Sequence, residues 1–129
     1  MRKLVCTVGG AFAFAFSGLA LAGGMVEGVD SDIGVAMQKA NIGALKYAQS
    51  QGTCMGKGYG FAKEKDCHKS QDGKQWVCQA EYSEHKGSCP KNRDATLKQQ
   101  IDSAIDTLNN LCSDGREGAC AAAAAAMAG

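Results

Sequence analysis

Apolar residues recur along this chain at two different periods, and the change from one to the other marks out its elements. Between residues 31 and 51, Ala36, Ala40, Ala44 and Ala48 repeat every four positions beside Ile33, Met37, Leu45 and Tyr47, the spacing of one helical face. Ser31 or Asp30 can cap that helix and Gly52 can stop it. Its alanine side is narrow and smooth, which favours the close approach of another helix. A membrane seam of small residues needs an apolar stretch of roughly 20 residues, and Gln38, Lys39, Asn41, Lys46 and Gln49 interrupt this one. A second stripe, Leu97, Ile101, Ala104, Ile105, Leu108, Leu111 and Cys112, predicts an amphipathic helix that starts at Asn92 or Asp94 and stops at Gly115. Its other side carries Lys98, Gln99, Asp102, Asp106 and Asn109 and should face water.

Two extended runs lie between the helices, residues 65–71 and 74–82, separated by Asp72-Gly73. That dipeptide favours a two-residue type I′ hairpin turn. The turn sets Cys67 opposite Cys78 and Lys69 opposite Trp76. Counted from it, the two cysteines fall on a hydrogen-bonded pair, the wider of the two kinds of site. Residues 23–30 read as a flexible start, residues 83–93 as a polar connector containing Pro90, and residues 119–129 as an alanine-rich tail pinned by Cys120. So short an alanine helix is marginal alone. The expected fold is therefore α+β: a small disulfide-stapled domain over residues 31–118, with an N-terminal helix, a central β-hairpin and a C-terminal amphipathic helix.

Composition changes this picture once the first residues are set aside. Met1, Arg2 and Lys3 precede an apolar run that ends in Ala20-Leu21-Ala22, the layout of a secretory signal peptide cleaved after Ala22. If it is not cleaved, residues 4–26 are long enough to anchor the chain in a bilayer, and only then is a membrane a partner. The remaining 107 residues hold 13 Leu, Ile, Val and Phe, about 12%. Below about 20% a chain struggles to build a core. Cys54, Cys67, Cys78, Cys89, Cys112 and Cys120 supply the remedy, because an oxidising compartment turns them into a disulfide framework. Helices packed antiparallel with the hairpin between them would bring Cys54 to Cys89, which nests Cys67 with Cys78 and Cys112 with Cys120.

The candidate chemistry lies in the middle of the chain, where residues 57–93 carry eight basic against five acidic side chains. Lys57-Gly58-Tyr59-Gly60-Phe61-Ala62 resembles the core of the RNP1 pattern of RNA-recognition motifs, which implies aromatics on a sheet that stack bases. Glu64 stands where that pattern requires its last aromatic, and a helix precedes it where a partner strand is needed, so no nucleic-acid partner is expected. Cys67, Cys78, His85 and Cys89 lack the close cysteine knuckle of structural zinc sites, and oxidation would consume the thiols. No metal, no cofactor and no catalytic residue is assigned.

By elimination the expected function is a secreted or periplasmic binding or interaction protein, such as an inhibitor, effector or envelope accessory, whose partner is a protein or an envelope component. Its contact surface would be Lys57, Tyr59, Phe61, Trp76, Tyr82 and His85, since aromatic and basic side chains dominate interfaces. The competing reading is a small secreted hydrolase using His68 or His85 with Glu81 or Glu84 as an acid–base pair.

Overall fold

Asp32 begins the first helix. Its carboxylate accepts a hydrogen bond from the backbone N–H of Val35 at 3.1 Å, satisfying one of the donors that a helix start leaves open. In the computed structural model, which describes residues 24–56 and 60–128, this helix, α1, runs over Ile33–Gln51 and ends at Gly52. Gly52 takes φ of 76° and returns its N–H to the carbonyl of Ala48, a closure that glycine adopts without a Cβ penalty. The cap residue is Asp32, one position beyond the expected Asp30 or Ser31.

Strand β1, Met25–Asp30, precedes α1, and strands β2, Cys67–Lys69, and β3, Trp76–Glu81, form the hairpin. They make one antiparallel sheet in the order β1-β3-β2. Residues 23–30 are thus not a flexible start: from Met25 they form an edge strand and make β3 central. Helix α2, Arg93–Ser113, and helix α3, Ala119–Ala128, complete the unit. The alanine-rich tail is likewise a docked helix, and Ala119, Ala122 and Ala123 are buried against Val35, Ile42 and Leu108. The folded unit therefore extends over residues 25–128 instead of 31–118.

Helix α1 lies between the sheet and the other two helices. Ala36, Ala40 and Ala44 face Cys78 and Ala80 of β3, Leu45 and Ala48 meet Leu97 and Ile101 of α2, and Val35 and Ile42 meet α2 and α3. The helices are antiparallel, as expected, but they touch each other directly and the hairpin is not between them. What the alanine ladder admits is a strand. A Cβ built on Gly28 of β1 would fall 2.3 Å from both the carbonyl oxygen of Ala36 and the backbone nitrogen of Ala40, so strand and helix meet backbone to backbone.

The hairpin register places Cys67 opposite Cys78, His68 opposite Val77 and Lys69 opposite Trp76. Its turn differs from the expected one. Ser70 N–H donates to the carbonyl of Gln75 at 2.8 Å and Gly73 N–H to that of Ser70 at 2.9 Å, so a four-residue loop replaces the type I′ turn. The Asp72 carboxylate accepts from the Ser70 hydroxyl at 2.5 Å and the Lys74 N–H at 3.0 Å, and these bonds hold its carboxyl below the ordinary value. A hydrogen-bonded Ser70–Gln75 pair shifts the alternation by one. Cys67 and Cys78 then occupy a non-hydrogen-bonded site, the closer kind, and their Cα atoms are 4.0 Å apart.

Three disulfides join Cys54 to Cys89, Cys67 to Cys78 and Cys112 to Cys120, the pairs of the nested scheme. Each closes a junction: α1 to α2, one strand to the next, and α2 to α3. At the far end of the bundle Gly115, at φ of 79°, turns the chain after α2. Arg116 then meets Asp32 with Nε at 2.6 Å and Nη2 at 2.9 Å from its carboxylate oxygens, and the paired geometry fixes the helix ends. Among the described residues no helix is long and apolar enough to cross a membrane. The expected leader, residues 1–22, lies outside the described residues.

Candidate functional site

The six residues expected to form one contact surface do not converge. Lys57 and Tyr59 lie outside the described residues. Trp76 and Tyr82 share the strand face that carries the buried Cys78 and Ala80, so both turn toward α1 and are half-buried. They stand about 20 Å apart along the strand by its rise per residue. Trp76 packs against the alanine cluster, and the Lys69 ammonium sits 4.7 Å from its ring centroid, a cation–π contact across the hairpin. Tyr82 packs against the Leu45–Leu97 cluster, with its ring centroid 4.7 Å from that of Tyr47. Burial first, then the hydrogen bond with Tyr47 and the charges of Tyr47 and Glu84, push its phenol up to about 12. His85 is exposed on a single helical turn, and its carbonyl accepts from the Ser88 hydroxyl at 2.8 Å.

Of the histidines and glutamates expected to pair, His68 and Glu81 are not brought together on the sheet, and Glu84 and His85 lie exposed beyond β3. His68 lies opposite Val77, and Glu81 is four positions further along β3, about 13 Å away by strand rise. Cys67, Cys78 and Cys89, considered above with His85 as zinc ligands, have their sulfurs in disulfides, and a disulfide sulfur is not the thiolate that zinc requires.

Among the described residues Phe61 is one of five large apolar side chains left exposed, with Met25, Val29, Tyr47 and Met127. It is the only phenylalanine after residue 22, yet in a protein whose buried side chains are largely alanine it stays 37% exposed. Its place is fixed from below. Asn41 on α1 is 5% exposed, and its side-chain oxygen accepts the Ala62 N–H at 2.7 Å. Buried polar groups keep their partners because losing one costs about 1–3 kcal/mol, so this bond pins the segment that carries Phe61 to α1. Ala62 itself enters the alanine cluster.

Beside Phe61 runs a groove of about 470 Å³ between α1 and α2. Gln38 and Asn41 line it from α1, and Thr96, Gln100 and Thr107 from α2. Among the described residues no charged side chain lines it, although Lys98, Asp102 and Asp106 lie on the same helix. Phe61 is among the residues expected on the contact surface; the groove beside it was not expected. The signal for it is the spacing Thr96, Gln100, Ser103, Thr107, an uncharged polar stripe that flanks the apolar stripe of α2. No family model, no curated protein and no solved structure matches the chain.

Proposed function

We propose that this protein is a disulfide-stapled binding module, secreted or periplasmic after cleavage following Ala22, which acts by contact and not by turnover. The observation that carries the reading is Phe61, held exposed at the mouth of a groove by a buried asparagine. A chain with so few large apolar residues gains from burying each of them, about 1.5–3 kcal/mol for a side chain of this size. Leaving more than a third of this one exposed while anchoring its backbone suits a surface that meets something else. Three disulfides are typical of chains in oxidising compartments, which supports the export half of the reading.

The test is the chain expressed with its leader, then fractionated and weighed. The expected product lies outside the cytoplasm, begins at Gly23, and takes up alkylating reagent at its six cysteines only after reduction. A cytoplasmic product with free thiols would overturn the export half. The substitutions His68→Ala and His85→Ala address the other half: a turnover activity that disappears with either one, while the disulfides remain intact, would replace the binding reading with the hydrolase.

A further inference from the structure

We infer that the groove beside Phe61 is a subsite for a neutral oligosaccharide. The inference rests on the reading of the chain as a binding module and adds the chemical class of its ligand. Three properties of the groove point the same way. Its accessible polar lining consists of carboxamides and hydroxyls, Gln38 on one wall and Thr96, Gln99, Gln100 and Ser103 on the other; Asn41 and Thr107 also line it, but the Asn41 oxygen is taken by the Ala62 N–H and the Thr107 hydroxyl donates to the Ser103 carbonyl. Amides present both donors and acceptors, and hydroxyls can act as either. A sugar ring presents the same mixture on every carbon that bears a hydroxyl.

The second property is the lack of charge in the lining. A site for phosphate, carboxylate or ammonium groups places a full charge or a charge-assisted donor against them, and among the described residues the groove offers none; its neighbours Lys98 and Asp102 pair with each other at 3.1 Å on another side of α2. The third is Phe61. An exposed aromatic ring beside a polar groove offers a flat apolar platform to the C–H face of a pyranose while the hydroxyl edges turn to the amides. Ligand sites commonly join an aromatic wall to a few placed polar groups. From Thr96 to Thr107 the wall of α2 runs about 16 Å at the helical rise per residue, so it accommodates a short oligosaccharide and not only a single sugar. An uncharged peptide shares the amide chemistry; both walls here are helices, so it finds no strand edge for a main-chain ladder, and it is the competing occupant that the experiment separates from the sugar.

The experiment is affinity electrophoresis and titration calorimetry of the oxidised protein with three probes: neutral gluco- and chito-oligosaccharide series, polygalacturonate, and an uncharged Asn/Gln-rich peptide. Retention by a neutral series is expected, together with about tenfold weaker binding in Phe61→Ala and a similar loss in Ser103→Lys, which places a charge at an exposed position of the groove lining. The disulfide content and circular dichroism of both variants should match the parent. Equal retention by polygalacturonate, binding of the peptide alone, or neutral-glycan binding that both variants leave unchanged would overturn the subsite. So would no retention by any probe, which leaves the binding-module reading to its own test. Shortening of the oligosaccharide during the titration would keep the ligand and overturn binding without turnover.

Discussion

Gly28 shows how one missing carbon sets the spacing of the molecule. Its neighbours across the β1–α1 contact are backbone atoms of Ala36 and Ala40, which cannot rotate aside as the end of a long side chain can. Gly28→Ala must therefore push the strand off the helix or bend one of them. Overpacking of this kind costs about 1–3 kcal/mol, so the denaturant midpoint should fall clearly while the three disulfides still form. An unchanged midpoint would mean that strand and helix separate freely, and that the close approach contributes nothing. The same contact explains why β1 was not legible in the sequence. Gly-Gly-Met-Val-Glu-Gly-Val-Asp has the glycine content of a linker, and its extended state is decided by two distant partners, β3 and the alanine face of α1.

At the scale of elements, the ends of the helices carry the electrostatics. Burial raises the Asp32 carboxyl, but the hydrogen bond from Arg116, then the Val35 N–H and the charge of Arg116, bring it below the ordinary value of 3.8. A carboxyl whose folded value is depressed contributes stability above its unfolded value and loses it as pH falls through the folded one. The contribution from Asp32 is thus complete at neutral pH and disappears in acid, from about pH 3.8 downward. Asp32→Asn should remove that part of the acid limb of a stability–pH curve, and lower stability at pH 7 by about 1 kcal/mol or less, since asparagine still caps. A variant whose acid limb stays as steep as the parent's would show that other carboxyls dominate. Both long helices and both glycine stops were readable because their signals are local: a period, a cap, a left-handed residue. Helix α3 was not, because ten alanine-rich residues are marginal alone and are held by Cys120 and by burial against α1 and α2. The groove was hidden for a related reason. Thr96, Gln100 and Thr107 read as an ordinary wet flank until α1 brings Gln38 and Asn41 alongside.

For the whole molecule, the thin core makes the sulfurs a requirement. Its largest fully buried side chains are Leu45, Leu97, Leu108, Val35 and Cys78, and much of what surrounds them is alanine. Loop closure of the Cys54–Cys89 bridge, across a separation of 35 residues, is worth about 4 kcal/mol by chain entropy, and that of Cys112–Cys120, across 8 residues, about 2.5 kcal/mol. Either is a large share of the roughly 5–15 kcal/mol that holds a domain together. Reduction without denaturant should therefore unfold the protein, read as loss of near-ultraviolet circular dichroism. The bridges can also be ranked. Replacing Cys54 and Cys89 together by alanine should lower the midpoint more than replacing Cys112 and Cys120, because the first pair closes the longer loop and ties α1 to α2. Cys67 and Cys78 fall outside this comparison, since Cys78 is fully buried and its removal adds a cavity cost. If the short bridge proved the more costly to lose, the docking of α3 would outweigh loop length. The alanine helix would then be a main support of the fold, covering Val35, Ile42 and Leu108 from one side as the sheet covers the alanine ladder from the other.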